Sequence, residues 1–496
     1  MVAAAHPLAA QAGAEVLKRG GSAVDAAIAV QMVLGLVEPE SSGIGGGAFM
    51  LHWSASEKRL RSYDGRETAP AAAKPDRFLT DGKPLAFLDA ALGGRSVGVP
   101  GVLRMLELAH ARHGRLAWHS LFDAAIGIAE QGFVPSRKFL AALERAPELQ
   151  KYFPAKRVVN RAYADTLRVL ARGGARMFYE GDIAKDIALA VRTHAKPGDL
   201  TEQDLRGYRA LEREPVCGPY RGRRICSMGP PSSGGIAVLQ ILGILERTAF
   251  AHAAPQSADA LHYFAEAGKL AYADRARYLG DPGFVGVPVT KLLEANYLDG
   301  RAKLVTARAM PLAPPGDAEA GTSHFSIVDA RGDIVSMTST IEAAFGSRIM
   351  VRGFLLNNQL TDFDFVPGGA NAVAPGKRPR SSMAPTVVFS GGTPEIALGS
   401  PGGAMIINYV AKALVGMLDW RLDVQSAIEL PNFGSRNGPT LVELGSRYEA
   451  LAFQLAERGH QMDTIVLTSG LHGIERMTGG WRGGADPRRE GAVRGD

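Results

Sequence analysis

The sequence predicts a large mixed α/β protein that folds as one continuous body. Helix-start and helix-stop signals dominate residues 6–277, and strand-like runs dominate from Thr322 onward. Between them, Thr306–Gly321 is rich in Pro, Ala and Gly, shows no periodicity and reads as a mobile linker. A chain of 496 residues corresponds to roughly three domains at about 150 residues each, but large α/β proteins routinely fill this length as a single body. With 46% hydrophobic and 21% charged residues it can bury a large core.

The elements follow in order. Residues 6–19 read as a helix stopped by Gly20-Gly21. Ser22-Ala-Val-Asp25 has the form of a capping box, in which the serine hydroxyl and the aspartate carboxylate each satisfy one orphan N–H. The helix it opens runs to about Leu36 and is apolar nearly all round, so it belongs in the core. Gly43-Ile-Gly-Gly-Gly47 precedes an apolar strand, Ala48–His52. This cluster lacks both the Gly-Lys-Ser/Thr ending of a phosphate loop and the G-x-G-x-x-G spacing, so it reads as a close backbone approach. Helices are predicted at about 100–113, 118–131 and 136–146, and Thr201-Glu-Gln-Asp204 starts another.

Cys217 and Cys226, the two cysteines, flank a hairpin-like stretch. With Arg221-Gly222 as a two-residue loop they fall opposite each other at a non-hydrogen-bonded pair, with Cα atoms about 4.5 Å apart. A disulfide fits that spacing, and so do two buried thiols. Pro230-Pro-Ser-Ser-Gly-Gly235 leads into a helix at about 236–248, and another covers about 257–277. Beyond the linker come strands at 324–329, 334–340 and 353–357, a helix at about 403–417 and an Arg- and Gly-rich tail. No internal repeat is visible.

The net charge is +6, yet Lys and Arg form no basic stripe outside the C-terminal Arg476, Arg482, Arg488, Arg489 and Arg494. No nucleic-acid-binding module is present, which argues against a nucleic-acid partner. No run of about 20 apolar residues exists, which argues against a membrane-spanning helix. No signal peptide is visible, and the chain runs almost at once from Met1 into helical sequence, which suggests a trimmed or mis-started N-terminus.

Thr322 is the candidate nucleophile. It follows the linker and opens a buried-looking strand. A threonine hydroxyl needs a base, and a backbone cut between Gly321 and Thr322 would free an α-amine for that role. That amine has a reference pKa of about 7.7–8.0. Asp329-Ala-Arg-Gly-Asp333 fits a three-residue hairpin loop with Gly332 left-handed, and counting back places Thr340 across from Thr322. A two-residue loop pairs Thr340 with Ser323 instead. Either register leaves Thr340 within reach of Thr322, to orient or polarise its hydroxyl.

These stretches carry a family resemblance. Gly321-Thr-Ser-His-Phe-Ser-Ile-Val-Asp329, Thr338-Ser-Thr340, Leu355-Leu-Asn-Asn-Gln359 with Asp362-Phe363, Lys377-Arg-Pro-Arg-Ser-Ser-Met383-Ala-Pro385 and Gly399-Ser-Pro-Gly-Gly403 resemble the γ-glutamyltranspeptidase family. So do Gly20-Gly-Ser-Ala-Val-Asp-Ala-Ala27, Gly43–Gly47, Arg66-Glu-Thr-Ala-Pro70 and Pro230–Gly235. The resemblance spans nearly the whole chain, in order.

The resemblance implies a four-layer αββα sandwich of the N-terminal-nucleophile hydrolase type. It implies self-cleavage into a large subunit, 1–321, and a small subunit, 322–496, that stay together. Donors would be glutathione or related γ-glutamyl compounds, and acceptors water, amino acids or peptides. Arg66 matches the family's carboxylate-binding arginine, and a guanidinium suits a bidentate carboxylate contact. Ser381 and Ser382 match hydroxyls that donate to the same carboxylate, and Gln359 and Asp362 match groups that receive the donor ammonium. Gly402 and Gly403 match the oxyanion-hole glycines. No metal or organic cofactor is implied. Family members are usually exported, which implies a periplasmic or secreted location, with the cytoplasm as the alternative in the absence of a visible signal.

Two departures bear on the substrate. Glu342 stands where many members have Asn. Only a short segment, opening with Asp364-Phe-Val-Pro-Gly-Gly369, separates Asp362-Phe363 from Lys377, where some members carry a longer lid, so an open cleft is expected. Both departures keep acylases of glutaryl-type amides or of poly-γ-glutamate as alternatives, beside a processed but inactive binding protein.

Overall fold

Backbone pairing in the computed structural model, which describes residues 1–310 and 321–495, produces two wholly antiparallel sheets. Most of the linker expected over Thr306–Gly321 lies outside the described residues. The strands of these two sheets, in chain order, are β1 (Val2–Ala4), β2 (Gly47–Ser54), β3 (Arg59–Gly65), β4 (Leu211–Arg213), β5 (Val216–Tyr220), β6 (Arg223–Ser227), β7 (Gly321–Val328), β8 (Ile334–Glu342), β9 (Thr386–Ser390), β10 (Thr393–Gly399), β11 (His472–Met477), β12 (Gly480–Ala485) and β13 (Ala492–Arg494). The first sheet runs β13-β1-β7-β8-β2-β3-β4, and the second β12-β11-β10-β9-β6-β5.

Side chains alternate across each sheet. In the first sheet Val2, Met50, Phe325, Ile327, Val335 and Met337 join a helical core, while Leu51, Trp53, Val328 and Ile334 join a core shared with the second sheet. The helical layer on the first sheet includes α1 (Pro7–Lys18), α2 (Ala23–Val37), α3 (Val102–His113) and α4 (Arg161–Gly173). The layer on the second includes α5 (Gly234–Glu246), α6 (Ala258–Tyr278) and α7 (Ile406–Leu418). The result is the αββα sandwich that the resemblance implied. Helix α2 opens on the expected capping box, Ser22 with Asp25, and every one of its residues is buried.

Turn chemistry settles the open registers. Cys217 pairs with Cys226 across a two-residue loop, and the sulfurs form a disulfide with Cα atoms 4.1 Å apart. Arg221 and Gly222 both have positive φ, 49° and 74°, as a two-residue turn that follows the strand twist requires. The β7–β8 loop is the three-residue type: the Asp329 N–H donates to the Asp333 carbonyl at 3.0 Å, and Thr340 sits opposite Thr322.

Two expectations needed correction. The strand expected over 353–357 shrinks to Phe354–Leu355, paired with Met350–Val351 around a turn at Arg352-Gly353. Asn357 then leaves the ladder, because its amide bonds the backbone of Gly45 and Gly98. Helix α4 was not anticipated. Its Asn160 cap receives the Tyr163 N–H, but Tyr163 cannot return the bond, so no capping box marks its start.

Candidate active site

Thr322 is the second residue of β7, on the strand face turned toward the other sheet. Its Oγ1 donates to Thr340 Oγ1 at 3.4 Å. Thr340 Oγ1 also accepts the Glu342 N–H at 2.8 Å, and Arg489 Nη1 donates to the Thr322 carbonyl at 3.2 Å. Opposite the Gly321–Thr322 bond the ladder is broken: Thr340 pairs with Thr322 and Glu342 with Gly321, leaving Ile341 as a bulge. Glu342 has φ 79°, a left-handed conformation that costs a side-chain-bearing residue energy and is typically retained at functional sites. The glycine cluster makes this crowding possible: a Cβ on Gly46 would stand 2.1 Å from the Thr340 carbonyl oxygen.

Both threonines open onto a cavity of about 220 Å³. Arg66, Glu342, Gln359, Asp362, Ser381, Ser382 and Gly403, all singled out from the sequence, line it as well. Gly402 does not line the cavity. It packs against the Tyr409 ring at φ 125°, and Gly403 and Ala404 form the wall before α7 begins at Ile406.

The charged groups interlock. Arg66 Nη2 bonds Asp362 Oδ2 at 2.5 Å and the Arg380 carbonyl at 3.0 Å, and its Nε bonds the Pro379 carbonyl at 3.1 Å. Gln359 Nε2 donates to the same Asp362 oxygen at 2.6 Å. Glu342 Oε2 accepts from Asn358 Nδ2 at 2.5 Å, while Oε1 is buried without a partner. Burial, and then the Asp362 charge, push the Glu342 carboxyl well above the ordinary carboxylate range. Burial raises Glu67, beside Arg66, to about 8.

The serine pair is clamped from behind. Ser233 donates to the Ser381 carbonyl through its N–H at 2.8 Å and its hydroxyl at 2.5 Å, and Ser232 Oγ donates to the Met383 carbonyl at 2.5 Å. Pro230–Gly235 is therefore a support for Ser381–Met383. Behind Thr322, His324 fills the space between the sheets, with Nδ1 2.8 Å from Thr338 Oγ1. Burial, then His472, hold its pKa well below the usual histidine value, so the ring is neutral.

Four polar lining residues were given no role in the sequence reading: Arg275, Thr361, Asp364 and Arg380. Arg275 comes from the last turn of α6 and carries no local signal, because only the tertiary fold brings it to Ser382. The segment from Asp364 to Gly376 folds back on itself through an Asp364–Ala372 bridge, and Phe365 anchors it by stacking on Phe78.

Two other parts of the molecule gather polar groups or open space. His262, Glu266 and His460 bring ligand-type atoms together, but His262 Nδ1 and His460 Nε2 bond each other at 2.7 Å, and Lys269 pairs with Glu266 at 2.7 Å. The cluster holds the backbone of Thr306 and Met310. A larger cavity of about 420 Å³ lies among the hairpin turns at the opposite end of the sheets, lined by Trp53, Lys58, Arg331, Arg476 and Trp481 among others. The smaller cavity, where a hydroxyl pair meets fixed charges, is the candidate active site.

An αββα body that presents a strand-leading threonine to a charged cleft is the arrangement of N-terminal-nucleophile hydrolases, and this protein has that fold. A family model described as Gamma-glutamyltranspeptidase matches residues 9–495. The glutathione hydrolase proenzyme of Bacillus subtilis (strain 168) is 37% identical over 99% of this chain and 91% of that protein. The acylase ACY 1 proenzyme of Pseudomonas sp. (strain SE83) is 36% identical over 93% of this chain and 87% of that protein. A crystal structure of cephalosporin acylase from Bacillus halodurans superimposes with a TM-score of 0.91 at 29% identity, covering 99% of this chain and 95% of that one. The gamma-glutamyltranspeptidase of Pseudomonas nitroreducens complexed with L-DON gives 0.59 at 34% identity, covering 62% of this chain and 94% of that one. The chain belongs to the gamma-glutamyltranspeptidase family and is an enzyme.

Proposed function

We propose that the protein cleaves itself between Gly321 and Thr322 and then transfers γ-glutamyl groups, from glutathione or related amides, to water or to amino acid and peptide acceptors. One observation carries the reading. Thr322 holds its hydroxyl 3.4 Å from Thr340 Oγ1, inside a cavity whose walls offer both cations and anions to an amino-acid head group.

Processing begins when Thr322 Oγ1 attacks the Gly321 carbonyl, with Thr340 orienting the hydroxyl. The peptide C–N bond breaks as an ester to Oγ1 forms, and water releases the Gly321 carboxylate and the free Thr322 amine. That amine then serves as base for the second reaction. Oγ1 attacks the γ-amide carbonyl, the amine takes the hydroxyl proton and returns it to the leaving nitrogen, and an acyl-enzyme forms. Backbone N–H groups in the Gly402–Ala404 turn are suited to the developing oxyanion, and one such donor is worth roughly 3–4 kcal/mol of barrier. Water or an acceptor amine completes the cycle.

Gln359, Asp362 and Glu342 form the ammonium side, and Arg66, Ser381 and Ser382 the carboxylate side. The cavity, at about 220 Å³, is smaller than the roughly 300–1,000 Å³ of drug-sized pockets, which suits a small acyl head with its leaving group outside. The disulfide supports an oxidising compartment, periplasmic or extracellular. A glutaryl-type acylase is the second reading, favoured by the raised Glu342 carboxyl.

Intact mass of the purified protein tests the processing step. Wild type should give two fragments divided at Gly321–Thr322, and Thr322→Ala should stay full-length and inactive on γ-glutamyl-p-nitroanilide. A full-length, active wild type sinks the proposal.

A further inference from the structure

The gap between the two sheets ends in the cavity of about 420 Å³ at the hairpin turns. Four turns surround it, two from each sheet: β2–β3, β7–β8, β9–β10 and β11–β12. Two of the chain's four tryptophans line it, one from each sheet. Trp53 forms the inner wall. It is 5% exposed and meets Phe389 edge-on, with ring centroids 5.0 Å apart. Trp481 is half-buried and pairs with Arg476 across the β11–β12 ladder. Gly391 and Gly392, at φ 53° and 85°, turn β9 into β10 without a side chain. Among the described residues no atom beyond their chain neighbours lies within 4 Å of where a Cβ on either would stand, so the mouth is open there.

The charges around this hollow are all of one sign. Lys58, Arg331 and Arg476 line it, each from a different turn, and none of the described acids does. The acids nearest in sequence are already engaged. Glu57 pairs with Arg61, Asp329 and Asp333 with Arg115 at 3.1 and 2.7 Å, Glu395 with Arg223 at 2.8 Å and Glu475 with Arg482 at 3.3 Å. Among the described residues Lys58, Arg331 and Arg476 have no ion pair, side-chain hydrogen bond or ring contact. Charge of one sign around a concave site focuses the field and concentrates anions more than the same charge on an open face. An indole face adds a flat apolar surface on which a ring can stack.

We infer that this cavity binds a small planar aromatic anion, an aryl carboxylate or aryl phosphate, with its ring against Trp53 and Trp481 and its acidic group among Lys58, Arg331 and Arg476. The volume lies within the roughly 300–1,000 Å³ usual for small-molecule sites. A nucleic acid is a poorer match, because it calls for cations in a stripe along one face, whereas these three converge on one hollow. The cavity shares no lining residue with the Thr322 cavity, so the inference stands independently of acyl transfer.

Calorimetric titration of the purified protein tests it, with 2-naphthoate and 2-naphthyl phosphate as the two aryl anions. Cyclohexanecarboxylate and inorganic phosphate supply the charge without the ring, and 2-naphthalenemethanol the ring without the charge. At least one aryl anion should bind to a single site, roughly tenfold or more tighter than each of these partial ligands, and the tighter of the two identifies the preferred acidic group. Lys58→Gln/Arg331→Gln/Arg476→Gln should weaken that binding by roughly tenfold or more, because hydrogen bonds to charged groups are lost, with the Tm unchanged. Trp481→Leu should weaken it roughly 5- to 150-fold, the range for a lost aromatic stack. The same charge change at exposed positions elsewhere, Lys156→Gln/Lys291→Gln/Lys303→Gln, should leave it unaltered. The inference is overturned if neither aryl anion binds, if a partial ligand binds as tightly, or if the two triple variants behave alike. A single-stranded oligonucleotide that binds more tightly than either aryl anion, and is lost with the lining variant, would also overturn it and make the hollow part of a polyanion surface. None of these outcomes depends on γ-glutamyl turnover.

Discussion

If the Glu342 carboxyl is neutral in the empty cavity, the preference among donors must change with pH. Protonated, Glu342 leaves the lining one charge positive, which suits a glutaryl head carrying a single carboxylate. Ionised, it leaves the lining neutral and offers a second anion to the ammonium of a γ-glutamyl head. A hydrogen bond to a charged partner is worth about 1.5–3 kcal/mol, or roughly 10- to 150-fold in kcat/KM. The assay is the ratio of kcat/KM for γ-glutamyl-p-nitroanilide to that for glutaryl-p-nitroanilide, followed upward from pH 5 and kept below the pH at which the donor's own ammonium loses its proton. Both donors use the same Thr322 amine, so its titration cancels in the ratio. Because burial and Asp362 raise the Glu342 pKa, the rise in the ratio should fall above the ordinary carboxylate range. Glu342→Gln should give a flat profile at the low-pH value. A flat wild-type ratio, or a Glu342→Gln ratio that tracks wild type, would refute the reasoning.

Thr340→Val removes the acceptor for both the Thr322 hydroxyl and the Glu342 N–H, and the loss of roughly 1–1.5 kcal/mol per bond should lower kcat about tenfold and slow self-cleavage in a time course of fragment formation. Glu67 is a pH probe of stability. Its folded pKa of about 8 lies above the unfolded value of 4.5, so the fold holds this proton more tightly, and stability is lost as pH rises through that window. The loss approaches about 5 kcal/mol at 1.36 kcal/mol per unit. Glu67→Gln should therefore lose less stability than wild type between pH 5 and 8 in denaturant melts, and parallel curves would count against a buried neutral Glu67. Replacing both Cys217 and Cys226 by Ser opens a loop of about ten residues, which the chain-entropy account values at about 2.5 kcal/mol. Wild type in reductant should show the same lowered midpoint, and an unchanged midpoint would mean that the hairpin forms without the bond.

What could be read in advance was local chemistry. Two capping boxes, Ser22 with Asp25 and Thr201 with Asp204, announced their helices because each is complete within four residues. Gly222 and Gly332 marked the two hairpins, but the second loop could be counted with two residues or three, and only the folded ladder chose Thr322 over Ser323 as the partner of Thr340. The remaining features are properties of the assembled fold. Arg66 and Asp362 meet across 296 residues, and the Ile341 bulge follows from closing β8 against the glycine cluster and β7 together. Arg275 read as one more polar residue at a helix end. The family motifs supplied the carboxylate and ammonium subsites, whereas the charge balance among three arginines and three acids became visible only once their distances were known.

Strand β7 lies between β1 and β8, and β8 lies against β2. Residues on both sides of Gly321–Thr322 thus alternate within one sheet, and the second sheet likewise joins β5 and β6 to β9–β12. Severing the peptide bond would leave this weave untouched. Neither of the two large sheets belongs to one fragment alone, so the pair should melt as a unit and should not be rebuilt by mixing separately made halves. The uncut chain then acts as a single-use template: it brings together, while still one molecule, an arrangement that its two products could not find again by collision.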